Sequence, residues 1–170
     1  MPAAVIRVSL SRLPGDHVLV VDGDGESELA TADLPAYVAA REVEAPRWVW
    51  DDTARWYPPL LAAGVRIERC HDLRLGHHLL RRAPAVDARL LVGEQSEHWD
   101  RLGPSTPSAP ALFEIDDAAE HLRADLEDAR QLAAVAASTE PARLGLLLAD
   151  EENESCLVMQ DVEGNEFCLD

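Results

Sequence analysis

The chain has no lysine: all 15 of its basic residues are arginine, set against 32 acids, for a formal net charge of −17. Together with the abundance of Ala and Leu, this arginine-only usage reads as the base composition of a gene and not as an arginine-based function. Cysteine is scarce too. Cys70, Cys156 and Cys168 are odd in number, widely spaced and without a C-x-x-C pair, which excludes a disulfide framework and a zinc knuckle and points to free thiols in a reducing compartment. No apolar run approaches the ~18 residues that a membrane helix needs, and no leader of basic, then apolar, then small residues opens the chain. The expectation is a soluble, cytoplasmic protein with no membrane partner. No G-x-G-x-x-G, P-loop, G-x-S-x-G or H-E-x-x-H occurs either, so nucleotide binding and serine hydrolysis have no motif behind them.

The chain is 170 residues long, enough for one domain, or one domain with a tail, that buries about two-thirds of its extended surface. Its charge is uneven: residues 113–170 hold sixteen acids and three arginines, a net −13, so residues 1–112 carry −4. A nucleic-acid surface gains affinity by replacing counterions with basic side chains, and acidic surface opposes this at long range. DNA contact is therefore expected only in the first half, with Arg66, Arg69 and Arg74 as candidate DNA-contacting residues. Arginines in such a row are also what a solvated helix face looks like.

AVIRVSLSR and HVLVVDGDGESELA read as a strand and a β-hairpin, with turns at Pro14-Gly15 and Asp22–Gly25. TADLPAYVAAREV reads as a short helix with Leu34, Tyr37, Val38 and Val43 as core candidates, ended by Pro46. From Arg47 to Arg82 the order is β-α-β-α. RWVW is a strand, DDTARWYPPLLAAG a capped helix ended by Gly, VRIERC a strand with Val65 and Ile67 alternating, and HDLRLGHHLLRR a helix with leucines toward one face. Pro84 to Pro110 lacks periodicity, apart from a short helical stretch near Leu90, and reads as a linker. Ile115, Leu122, Leu126, Leu132 and Val135 recur at helical spacing, Pro141 opens a second helix, and the two form an αα-hairpin. Its acidic helices are a surface for a homodimer or a basic partner. The last residues, CLVMQ and NEFCL, read as a β-hairpin.

The central pattern D-x-x-x-x-Y-P-x-L-L-x-x-G-V-R-I-E-R-C-H-D-L-R-L, from Asp52 to Leu75, resembles the degenerate 3′-5′ exonuclease region in one group of family A DNA polymerases. Those proteins are usually labelled bifunctional 3′-5′ exonuclease/DNA polymerase. The similarity resumes from Ala111 to Ala149 and covers about half the chain. It implies that the α/β fold has a small mixed sheet of exonuclease (ribonuclease H-like) type over residues 1–83; with the linker over 84–110, the helical hairpin over 111–152 and the terminal β-hairpin over 153–170 read from the residues, this gives the expected organisation. Active members of the wider nuclease superfamily hold two divalent metals with an Asp-x-Glu on the first strand and two further aspartates. This chain departs from that pattern. Its early acidic cluster, Asp22-Gly23-Asp24-Gly25-Glu26, reads as a hairpin turn, and Arg55, Trp56 and Tyr57 stand where the second motif wants an Asp. No catalytic residue or cofactor is therefore expected, and if nuclease activity survives, Asp22, Asp24, Asp51, Asp52 and Asp72 are the carboxylates to test as Mg2+ ligands. Polymerase chemistry would further need palm aspartates and a basic helix for the triphosphate, which the sequence does not supply.

The tail carries a second likeness. V-x-x-D-x-E-G-N-E-F-C-L is similar to the closing hairpin of glyoxalase-like proteins of the vicinal oxygen chelate family, with Val162 where Pro is usual. The resemblance implies Glu166 as a metal ligand for Zn2+, Ni2+ or Fe2+ inside an eight-stranded cup. With polymerase-like sequence ending near Ala149 and glyoxalase-like sequence beginning near Ser155, the junction near Asp150 suggests a truncated or fused reading frame. Two smaller constellations have plain readings. His71 and His78 lack the third and fourth ligands zinc needs and are expected as helix-surface histidines; Trp48, Trp50 and Trp56 are expected to pack the core and not to stack bases.

Overall fold

A computed structural model describes residues 5–93, 95–102, 122–141 and 144, together with the backbone of strand residues 158–160 and 166–168. Strands β1 (Arg7–Leu13), β2 (His17–Asp22) and β3 (Gly25–Ala30) form an antiparallel meander. The first turn places Gly15 and Asp16 at positive φ, 77° and 60°, a conformation that Gly adopts freely and Asp tolerates. Helix α1 (Leu34–Arg41) crosses to β4 (Arg47–Trp50), and α2 (Thr53–Ala62) crosses to β5 (Cys70–Asp72). Both β4 and β5 run parallel to β1, giving one mixed five-stranded sheet in the order β3-β2-β1-β4-β5. The fold is thus α/β, as the sequence implies.

Period-two alternation divides the sheet into two unlike faces. Val8, Leu10, Val18, Val20, Trp48 and Trp50 point to one side, where Leu34 and Val38 of α1 and Trp56 and Leu60 of α2 complete an apolar core. The register Ser9↔Val49↔His71, with Arg7↔Arg47 beside it, shows what the other side carries. That face is largely polar. Helix α5 (Ala124–Ala136) lies on it against α3 (Leu73–Arg82) and the 3₁₀ turn at Ala88–Leu91, with α4 (Ser96–Leu102) packed on α3. A small cluster of Val49, Leu73, Trp99, Leu122 and Ala124 lies on this side, and Leu80, Leu91, Ala134, Val135 and Leu144 form another.

Several expectations shift. The strand expected over VRIERC begins only at Cys70, because its last residue, Asp72, is also the N-cap of α3 and its ladder partners are Trp48 to Trp50. The preceding Gly64, at φ 78°, turns the chain out of α2, and Val65 plugs the core from a non-strand segment. Val43 is 87% exposed, not core, since it lies in a 3₁₀ turn (Glu42–Glu44) beyond the helical period. The segment read as a linker is folded where it is described: a 3₁₀ turn (Ala88–Leu91) and α4 bury Leu91 and Trp99. Of the expected helical hairpin, α5 is present and packs on the sheet, with Leu126 exposed; Ile115 and most of the second helix lie outside the described residues. The terminal hairpin is seen as β6 (Val158–Gln160) and β7 (Glu166–Cys168), an antiparallel pair.

Candidate functional site

Parallel strands that end together bring the residues after them together, and here β4 and β5 deliver Asp51, Asp52 and Asp72 to one edge of the sheet. Each acid already has partners. Asp51 is buried and accepts from the Trp56 indole N–H and from Arg55 at 3.3 Å. Asp52 caps α2, accepting from the Ala54 amide at 2.9 Å, and takes the Arg74 guanidinium at 2.7 Å. Asp72 caps α3 through the Leu75 amide at 2.8 Å and accepts from the Thr53 amide at 2.7 Å. Burial pushes the Asp72 carboxyl up, and the charge of Asp52 adds to the rise, against the two amide hydrogen bonds. Two divalent metals need carboxylate oxygens turned toward a shared, open position; these oxygens face helix amides, an indole and guanidinium groups. The residues present do not fit a metal pair. Among the described residues no group of three or more His, Cys, Asp and Glu is arranged to hold a metal ion.

Asp22 and Asp24 lie at the opposite edge, in the β2–β3 turn. Asp22 accepts from the Asp24 amide at 2.9 Å and from Arg41 at 3.0 Å. The turn borders a cleft of about 220 Å³ lined also by Glu26, Ser27 and Tyr37. Strand β1 itself carries no carboxylate: Ser9 and Ser11 occupy its buried polar positions. The candidate arginines are divided as well. Arg74 belongs to the Asp52 edge, whereas Arg66, exposed, and Arg69 precede β5 at the other end. Arg69 donates to the Ala45 carbonyl at 2.6 Å and so steadies a residue held at φ 47°.

The most connected polar cluster lies under α5. Arg7 grips Asp128 with both arms of its fork, Nε to Oδ2 at 2.7 Å and Nη2 to Oδ1 at 2.5 Å. His71 Nδ1 meets the same Oδ1 at 2.7 Å; a carboxylate can only accept, so Nδ1 carries the proton. Burial alone would raise Asp128, but the hydrogen bonds from His71 and Arg7 outweigh it and hold the carboxyl below its ordinary range. One turn along, Gln131 is fully buried, its amide N–H₂ donating to the Leu73 carbonyl at 2.8 Å and to Glu127 at 3.2 Å. Burial pushes Glu127 up, countered in part by Gln131 and Arg130. Among the described residues the Gln131 Oε1 and the His71 Nε2 have no hydrogen-bond partner, and both abut Gly76, the one α3 position without a side chain.

Sequence reasoning found His71 but expected it on a helix surface; it is a buried strand residue, and His77 and His78 are buried too. His77 bonds Asp100 at 2.9 Å beside a cleft of about 190 Å³ lined by Leu91, Val92 and Ser96. Arg7, Asp128 and Gln131 were missed, because their partners are 121, 57 and 58 residues away and no local pattern marks such pairs. The one available signal was Ser-x-Ser alternation on β1, which announces a polar sheet face. Glu166 opens β7 opposite Gln160, and that hairpin is a two-stranded sheet of its own among the described residues. No family model matches the chain, and no match was found among curated proteins or solved structures.

Proposed function

We propose that this chain is related to the bifunctional 3′-5′ exonuclease/DNA polymerase family and acts as a non-catalytic scaffold whose sheet derives from the ribonuclease H-like exonuclease type. The observation that carries this reading is the engagement of Asp51, Asp52 and Asp72 by helix amides, Trp56, Arg55 and Arg74. Carboxylates fixed in this way position the chain and cannot also cradle metal ions. A meander of three antiparallel strands joined by two parallel ones supports the ancestry, and Ser9 and Ser11 on the first strand support the loss of chemistry.

The arginines support a scaffold over a free phosphate-binding surface. Arg41, Arg55, Arg74, Arg81, Arg89 and Arg123 each form an ion pair with an Asp or Glu of this chain, while Arg12, Arg66, Arg82 and Arg101 are exposed and scattered along the sequence. What faces outward is an excess of acid, the surface of a module that meets a basic protein partner.

The test is a 3′-labelled oligonucleotide incubated with the protein and Mg2+ or Mn2+, alongside fluorescence anisotropy with primer-template and single-stranded DNA at low salt. No trimming and no salt-sensitive binding are expected. Trimming that disappears in an Asp51→Asn, Asp52→Asn double variant would overturn the reading.

A further inference from the structure

We propose that the polar sheet face beneath α5 is an oxyanion site for phosphate that Asp128 occupies from within the chain. The choice of phosphate rests on the nuclease-type ancestry proposed above; the site itself rests on geometry. Arg7 and Arg47 are direct neighbours on parallel strands and point to the same face. Like charges in such positions repel unless an anion lies against them. The anion against Arg7 is Asp128, and it receives three N–H groups: two from the Arg7 fork, at 2.7 and 2.5 Å, and one from His71, at 2.7 Å. A guanidinium fork with a third convergent donor matches the oxygen spacing of phosphate as well as that of a carboxylate.

The cover is built to come off. Of the side chains α5 buries, Glu127, Asp128 and Gln131 are polar and Ala124 and Ala134 are small; its large apolar contacts, Val135 and the half-buried Leu132, lie toward its C-terminal end. Its other ties are polar too: the Ala124 amide to Ser11 Oγ at 2.9 Å, Gln131 to the Leu73 carbonyl at 2.8 Å, and Arg123, just before the helix, to Glu26 at 2.6 Å. The part of the helix that carries Asp128 is held by polar contacts, and such a contact yields to a competing anion in a way that apolar burial does not. Lifting it uncovers Arg7, His71 and the hydroxyls of Ser9 and Ser11 along one strip of sheet. Asp128 thus acts as an internal stand-in for phosphate, and α5 is an autoinhibitory cover.

The experiment is chemical rescue. Asp128→Ala leaves Arg7 and His71 facing a carboxylate-sized gap, so its Tm in chloride should fall and then recover as phosphate replaces chloride at constant ionic strength. Its apparent phosphate affinity should exceed that of the unmodified protein by roughly tenfold. A double variant that adds Arg7→Ala should not recover. Asp128→Asn, which keeps the shape, takes the place of the alanine variant if that one does not fold. A phosphate response in Asp128→Ala (or Asp128→Asn) no larger than in the unmodified protein, or equal to that of the double variant, overturns the site.

In parallel, hydrogen exchange of amides 124–136 in the unmodified chain is followed with inorganic phosphate or a 5′-phosphorylated single-stranded oligonucleotide, at matched ionic strength. Acceleration by the oligonucleotide alone assigns the ligand to a nucleic-acid backbone and overturns the expected absence of DNA binding, and acceleration by phosphate assigns it to the free anion. Acceleration by neither overturns the cover. Metal-dependent trimming of DNA would sink the scaffold reading and leave this site standing, whereas failure of the rescue sinks the site alone.

Discussion

Single side chains in this protein are decided by what their polar atoms meet once they are inside. Three indoles fill the apolar core, and each finds an acceptor for its N–H: Trp48 on Glu42 at 2.6 Å, Trp50 on Thr53 at 2.8 Å, Trp56 on Asp51. Asp51→Ala would leave the Trp56 N–H and the Arg55 charge without that partner, at an expected cost of about 2–4 kcal/mol in urea unfolding; a loss below half of that would show the indole re-partnering. Cys70 offers a second test. Burial pushes its thiol up from the ordinary 9.0 to about 11. Between those values the unfolded thiol ionises while the folded one keeps its proton, so the native state binds more protons and stability falls as pH rises. The expected contribution of Cys70 is a loss of about 2–3 kcal/mol between pH 8 and 11, missing from Cys70→Ala. Tyr37, whose phenol burial also raises, adds a decline common to both proteins, and an identical slope in both would remove the assignment.

Among the elements, α5 is the one whose role the sequence misplaced. Its helical period is plain, but the residues that dock it are Glu127, Asp128 and Gln131, which a hydrophobic pattern assigns to solvent. Leu126, which the same pattern assigns to the core, is 58% exposed. The reason is that α5 covers a polar sheet face, so its inward side is polar as well. Gly76 of α3 belongs to the same contact. A Cβ there would run into Gln131 Oε1 and approach His71 Nε2 to 2.9 Å. Gly76→Ala gains about 1 kcal/mol of helix propensity and loses about 1–3 kcal/mol to overpacking. Net destabilisation with faster exchange of the α5 amides is expected, and a more stable Gly76→Ala protein would mean that Gln131 can move aside at no cost.

At the scale of the molecule, charge sets the response to acid. Asp128, held below its ordinary range by His71 and Arg7 despite burial, stabilises the fold above the unfolded carboxyl value and loses that contribution as pH falls through its folded value. Asp72 and Glu127, raised mainly by burial, act in the opposite sense: protonation relieves them, so their part of the stability grows as pH falls from neutrality. The expected curve has its maximum on the acid side of neutral and a steep drop below about pH 4. Hydrogen exchange through that drop should show α5 losing protection before β1 and β4. Simultaneous loss across the helix and the sheet would argue that Asp128 does not govern the docking.

The sequence by itself determined the β-hairpins, β4 and helices α1 to α3, because hairpin turns, the alternation of β1, the caps at Asp52 and Asp72 and the terminating Gly64 all act within a few residues. It also determined the apolar core under α1 and α2, since alternating Val, Leu and Trp leave one way to bury themselves. Only the tertiary structure decided which carboxylates are structural. Asp51, Asp52 and Asp72 look alike in sequence to metal ligands, and what separates them from that role is a set of partners, Arg74, Trp56 and the Leu75 and Thr53 amides, that chain folding brings up to their oxygens. The joining of Arg7, His71 and Asp128 was likewise settled there. Desolvation makes a buried charge costly wherever it lies, but which opposite charge relieves it depends on contacts across the whole chain, and those are fixed by the sheet order and by the helix that closes over it.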